Sequence, residues 1–117
     1  MSTLPEILAE RGEDHGVFVD LHVPTDLPQF RGHFDTAPIL PGIVQIDWAL
    51  QLARRHGLTD GEAHYLAGIK FQKTIRPQAR LRLHLRMDVA RGELRFDYQS
   101  LDGGSAYSSG RIGFGAT

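Results

Sequence analysis

The sequence predicts an α+β domain in which an antiparallel β-sheet wraps one long central helix. Two observations carry this. The stretch from about Pro41 to His56 is apolar nearly all the way round through Ala53, which predicts a helix enclosed by other structure rather than laid on a surface. Four later segments, 64–75, 79–91, 93–101 and 105–115, read as strands separated by turn residues such as Arg91-Gly92 and Asp102-Gly103-Gly104. With 117 residues, the chain is long enough for a real core and too short for two, so 1–117 is expected to be a single domain.

In chain order, Thr3-Leu4-Pro5-Glu6 reads as a helix start, with Thr3 as cap, Pro5 in the first turn and Glu6 reaching back. Gly12 is expected to stop that short helix. Val17, Val19, Leu21 and Val23 alternate with Phe18, Asp20 and His22, the period of a half-buried strand. Pro24, Pro28, Gly32 and Pro38 mark an irregular loop. The helix then runs from Pro41 to His56 and ends at Gly57, with Arg54, Arg55 and His56 in the last turn, where positive charge suits the dipole. The clearest strand has Leu81, Leu83, Leu85 and Met87 on one face and Arg80, Arg82, His84 and Arg86 on the other.

Composition excludes several functions. An apolar fraction of 41% and a charged fraction of 23% are those of an ordinary soluble protein. A net charge of −1 gives no electrostatic case for nucleic acid. The absence of cysteine removes disulfides, thiolate metal sites and a Cys nucleophile. No apolar run approaches the roughly 20 residues of a membrane span, and the opening MSTLPEILAERGED lacks a secretory apolar core, so a cytoplasmic protein is expected. His15, His22, His56, His64 and His84 show no metal-ligand spacing, and Gly110, Gly113 and Gly115 do not sit between a strand and a helix as a dinucleotide loop does. No metal and no cofactor are expected.

The chemistry concentrates between Phe30 and Gln51. His33 precedes a Pro41-Gly42 helix start, and Asp47 stands among Ile43, Ile46, Trp48 and Leu50. A carboxylate in apolar surroundings loses hydration, which favours the protonated form and suits it to act as an acid. Histidine accepts a proton near neutral pH. The two form a candidate acid–base pair.

Gly32-His33-Phe34, then Pro38-Ile39-Leu40-Pro41-Gly42, then Asp47 fourteen positions after His33 and Gln51 four further on, resemble the 3-hydroxyacyl-acyl-carrier-protein dehydratases of type II fatty-acid synthesis. Their fold is the hot-dog, a sheet wrapped around one long helix. Asp at the acidic position resembles the isomerising branch, whereas the short chain resembles the non-isomerising one. Gln45-Ile46-Asp47-Trp48-Ala49 and Ser108-Ser109-Gly110 look most like the dehydratases of aryl-polyene pigment clusters. Asp35-Thr36 stand where the family has Pro-Gly, which changes the loop beside the histidine and adds a carboxylate.

The resemblance implies loss of water from a (3R)-3-hydroxyacyl thioester to give the trans-2-enoyl product. His33 would take the C2 proton and Asp47 would protonate the departing hydroxyl. The backbone N–H of Gly42, at a helix N-terminus, would hold the thioester oxyanion. Gln51, at i+4, would orient Asp47, and the carbonyl of Ile39 would fix the imidazole tautomer. Phe34, Trp48 and the small-residue strand at Ala106, Ser108, Gly110 and Ile112 are candidates for lining an acyl tunnel. The implied partners are an acyl-carrier-protein thioester and a second copy of the chain, as homodimer or higher homo-oligomer, with His33 and Asp47 of one site drawn from different subunits. Arg31, Arg76 and the Arg80, Arg82, Arg86 face are candidates to steer an acidic carrier. Two other readings stand beside this one: an acyl thioesterase of the same fold, which would generally lack the histidine motif, and a non-catalytic subunit paired with a related hot-dog chain.

Overall fold

The computed structural model describes residues 4–27 and 38–114. The elements run β1 (Glu6–Glu13), β2 (Gly16–His22), α1 (Gly42–Arg55), β3 (Tyr65–Phe71), β4 (Arg80–Asp88), β5 (Glu93–Ser100) and β6 (Ala106–Gly113). One six-stranded sheet has the order β1-β2-β4-β5-β6-β3, with every neighbouring pair antiparallel.

The four later strands and the helix lie where the alternation and the Pro-Gly start place them. The N-terminal segment does not: residues 6–13 form a strand, not a short helix. Asp14 and His15 make a tight connection in which Glu13 pairs with Gly16, so β1 folds back as a hairpin arm on β2. Local start signals are worth tenths to a kilocalorie, and a ladder of sheet pairs overrides them. The register shifts between Ile7 and Ala9. That bulge turns Glu10 to the helix side, where its Oε2 lies 3.1 Å from His56 Nε2, an ion-pair approach too bent for a hydrogen bond. Glu6 and Glu13 meet His22 Nδ1 at 2.9 Å and His84 Nε2 at 2.6 Å on the other face. Three glutamates of a largely exposed strand thus each reach a histidine on a different element.

Pro41 caps α1 in extended conformation, and Gly42 is its first residue. At the other end, Gly57 (φ 73°) donates to Arg54 O at 3.0 Å and Leu58 to Ala53 O at 2.9 Å. This left-handed glycine closure satisfies the last carbonyls. The helix buries Trp48, Ala49, Leu52 and Ala53 against Val19, Leu21, Leu81, Leu83, Leu85, Leu94, Phe96 and Ile112 of the sheet.

The sheet covers one face of the helix only. Ile43 is 69% exposed, Asp47 is exposed, and Ile46 and Leu50 are partly so. The enclosed helix expected from its all-round apolarity is therefore corrected: within one chain a second apolar face stays open beside the edge strand β3. Ile43, Ile46, Asp47 and Leu50 form one wall of a groove of about 460 Å³, and Ala63, His64, Tyr65 and Leu66 form the other.

Candidate active site

The helix start is held in place from two sides. Leu40 donates its N–H to Ile75 O at 2.7 Å and accepts at its carbonyl from Gln45 Nε2 at 3.1 Å. Gln45 is 3% exposed and Ser108 1%. The Ser108 hydroxyl donates to Gln45 Oε1 at 2.6 Å, and the Tyr98 hydroxyl donates to the Gln45 main-chain carbonyl at 2.7 Å. The Pro38–Gly42 segment, the first helical turn and strands β5 and β6 thus share one buried polar network. Burial first, and the Asp47 charge second, push the Tyr98 hydroxyl well above its ordinary value of 10.0.

Asp47 lies on the first helical turns, facing away from the sheet. Gln51 Nε2 donates to Asp47 Oδ2 at 2.5 Å, one helical turn below. Asp47 is exposed, which corrects the expectation that Ile43, Ile46, Trp48 and Leu50 bury it: Trp48 points into the core and the three aliphatics share the open face with the carboxylate. The apolar cover expected around it is not supplied by this chain alone.

Gly42 borders a pocket of about 230 Å³ at the helix N-terminus, lined also by Ile39, Leu40, Phe71 and Lys73. The Phe71 ring packs on the bare Cα: a Cβ at position 42 would stand 2.4 Å from Phe71 Cζ. A side chain at position 42 would have to displace the exposed Phe71 ring. Ile39 is 38% exposed on the pocket rim. His33, Phe34, Asp35 and Thr36 lie outside the described residues, as does Arg31.

Of the tunnel candidates, Trp48 is wholly buried as core. The space beside Gly110 is filled, since a Cβ there would come 2.3 Å from Ile69 Cδ1 and 3.0 Å from Phe96. Neither leaves room for an acyl chain in the single chain, and the small-residue strand serves packing and the Ser108 bond. The arginine face also divides: Arg82 is bound to Asp20 through two contacts, at 2.8 and 3.2 Å, and so is not free for a carrier.

Sequence reasoning missed the structural role of Gln45, Tyr98 and Phe71, and read Ser108 only as a small residue of the tunnel strand. The signal for the first was present, an amide between Val44 and Ile46 three residues after the helix glycine. No group of three or more His, Asp or Glu side chains is placed to hold a metal among the described residues, and no helix among them is long and apolar enough to cross a membrane.

Among the described residues one helix packs on a six-stranded antiparallel sheet, the arrangement of a hot-dog protein. The family model for ApeI dehydratase matches residues 9–111, and the chain belongs to that ApeI-like family. Its structure is similar to the dehydratase heterocomplex ApeI:P from Xenorhabdus doucetiae, with a TM-score of 0.85 and 28% identity over 93% of this chain and 96% of that one. It is also similar to an uncharacterized protein from Erwinia carotovora subsp. atroseptica, with a TM-score of 0.82 and 34% identity over 94% of each chain. A curated relative is the 3-hydroxyacyl-[acyl-carrier-protein] dehydratase FabZ of Deinococcus radiodurans, 33% identical over 88 residues. That match takes in 70% of this chain and 59% of the relative, so the chain spans about three fifths of the relative's length.

Proposed function

We propose that the protein dehydrates (3R)-3-hydroxyacyl thioesters of an acyl carrier protein to trans-2-enoyl thioesters. The observation that carries this reading is the Gln51–Asp47 contact one turn below the Pro41-Gly42 helix start, at the family spacing from His33. In this mechanism His33 removes the C2 proton, its tautomer fixed by the Ile39 carbonyl. Negative charge developing on the thioester oxygen is met by the Gly42 N–H and the helix dipole. The Asp47 carboxyl, held by Gln51, gives its proton to the leaving hydroxyl, which departs as water.

The reading includes a second subunit. Asp47 shares the open helix face with Ile43, Ile46 and Leu50, and this face abuts the unpaired edge of β3. A chain packed over that groove would bury the aliphatics and desolvate the carboxylate, supplying what one chain does not. A second copy is the simplest occupant. A related hot-dog chain is the other, favoured by the similarity to a protein solved as a heterocomplex. A pathway of fatty-acid or aryl-polyene type and a cytoplasmic setting belong to the same proposal, as does the Phe34 side chain as part of the acyl site.

The test is incubation of the purified protein with a panel of (3R)-3-hydroxyacyl-carrier-protein thioesters, followed by mass spectrometry for loss of water. Water loss by the wild type, abolished in His33→Ala and Asp47→Asn, supports the reading. Release of the carrier thiol with no enoyl product moves it to a thioesterase, and inactivity relieved only by a co-purified related chain moves it to a partner subunit.

A further inference from the structure

The outer face of the sheet, opposite the helix, carries an unusual register. Arg86 of β4 stands directly opposite Arg95 of β5, and Arg95 directly opposite Arg111 of β6. Like charges placed directly across strands are destabilising, and two such pairs share the central arginine. The chain as a whole has 13 basic and 14 acidic residues, so this row does not follow from a basic composition. Elsewhere on the same face Arg82 is matched with Asp20, and His84 with Glu13.

Among the described residues, neither Arg86 nor Arg95 has an ion-pair partner, while Arg111 meets Glu93 at a long 3.6 Å. The buried Nε of Arg111 has no hydrogen-bond partner. Its guanidinium spreads over the bare Cα of Gly68 (φ +60°), at the bulge where the β3–β6 register shifts between Ala67 and Lys70. The bulge lets Arg111 lie flat in a groove and brings Lys70 opposite Ser109. Lys70, Arg86, Arg95, Arg111 and Ser109 line this groove of about 540 Å³, with Asp97 its one carboxylate. A second hollow of about 520 Å³ opens on the far side of Arg86 and Arg95.

From this we infer that the arginine row is a binding site for an extended phosphate-type polyanion, with a diphosphate as its smallest ligand. Guanidinium forks match phosphate oxygens in pairs. Neighbouring strands are about 4.8 Å apart, so the three arginines are spread along a row rather than converging on one ion, and the terminal oxygens of the two linked phosphate groups of a diphosphate can reach neighbouring guanidinium groups where a single small anion meets only one. Lys70 and the Ser109 hydroxyl add donors at one end. The ligand supplies counter-charge to Arg86 and Arg95, which have no ion pair among the described residues. The site lies on the opposite side of the sheet from Asp47 and Gly42, and its occupation does not depend on the proposed dehydration.

The test is titration of the protein with inorganic pyrophosphate at low salt, by calorimetry and by thermal unfolding. Arg95→Gln and Arg111→Gln are the site variants, and Arg80→Gln, an exposed position at the other end of β4, is the control. Pyrophosphate is expected to bind the wild type and raise its Tm, with affinity falling as salt rises. Arg95→Gln should weaken binding about tenfold or more, the loss of one charge-assisted contact, while Arg80→Gln leaves it unchanged. Without ligand, Arg95→Gln should unfold at the wild-type temperature or above, because it removes repulsion. ADP binding more tightly than pyrophosphate would support the site with a nucleotide as the source, and equal binding would support recognition of the phosphates alone. Absence of pyrophosphate binding at millimolar concentration overturns the inference. So does equal binding by Arg95→Gln, or binding of poly-glutamate without pyrophosphate.

Discussion

Replacing Gln45 by leucine removes a side chain that satisfies two buried groups at once. The Ser108 hydroxyl loses its 2.6 Å acceptor and the Leu40 carbonyl loses its 3.1 Å donor. Both residues are almost fully buried, so water does not replace the amide. A stranded buried polar group costs about 1–3 kcal/mol, and the pair should cost about 3 kcal/mol after the small gain from an added apolar side chain. For a chain of this size that lowers Tm by roughly 10–15 °C. Ser108→Ala in the Gln45→Leu background removes one stranded group and should return about 1–2 kcal/mol, whereas Ser108→Ala alone should destabilise. Urea unfolding of the four proteins closes the cycle. Gln45→Leu within about 0.5 kcal/mol of wild type, or a strictly additive cycle, would refute the claim that this network holds the helix start.

Other consequences are open to measurement. Gly42→Ala must push the exposed Phe71 ring aside, so it should gain less than the about 0.5–1 kcal/mol of helix propensity that the same change gains in a Phe71→Ala background; urea unfolding of both pairs checks the difference. Asp47→Asn keeps the side chain's size and an acceptor for Gln51, so it should leave Tm within a few degrees of wild type while abolishing dehydration, and Gln51→Ala should lower kcat more than it raises KM, as steady-state assays would show. The His84 hydrogen bond, and then its charge, hold Glu13 below its ordinary 4.5. A depressed carboxyl stabilises the fold above its unfolded value and loses that contribution as pH falls through the folded one, so unfolding scans below pH 4.5 should show an acid limb that Glu13→Gln reduces. Tyr98 has the opposite sign. Its raised value favours the fold up to its ordinary 10.0, and that contribution is lost as pH climbs beyond it; Tyr98→Phe should remove this alkaline limb in the same scans.

The helix and the four later strands were legible because their signals are local: an apolar run opened by Pro-Gly and closed by Gly57, and alternation such as Leu81, Leu83 and Leu85 against Arg80, Arg82 and His84. β1 was not, because what makes it a strand is pairing with β2 and contacts from Glu6, Glu10 and Glu13 to histidines as far away as His84. Apolarity around α1 identified residues that need covering, yet it does not distinguish cover by the chain's own sheet from cover by another subunit, and Asp47 fell on the second side. Gln51 was readable at i+4 from Asp47, a distance helix geometry alone sets. Gln45 and Ser108 lie 63 residues apart, and only the packing of α1 on β6 brings them together. Gly42 was legible as a helix-start glycine, but its contact with Phe71 depends on where β3 ends.

The claim at the centre of this account is that His33 and Asp47 act on one thioester from two different subunits. Separately inactive His33→Ala and Asp47→Asn proteins, unfolded together and refolded as a mixture, test it with water loss as the readout. The account predicts that the mixture regains a substantial fraction of the wild-type rate, because a mixed pair carries one site with both residues intact. A mixture as inactive as its components, under conditions where mass spectrometry shows mixed pairs formed, would contradict it.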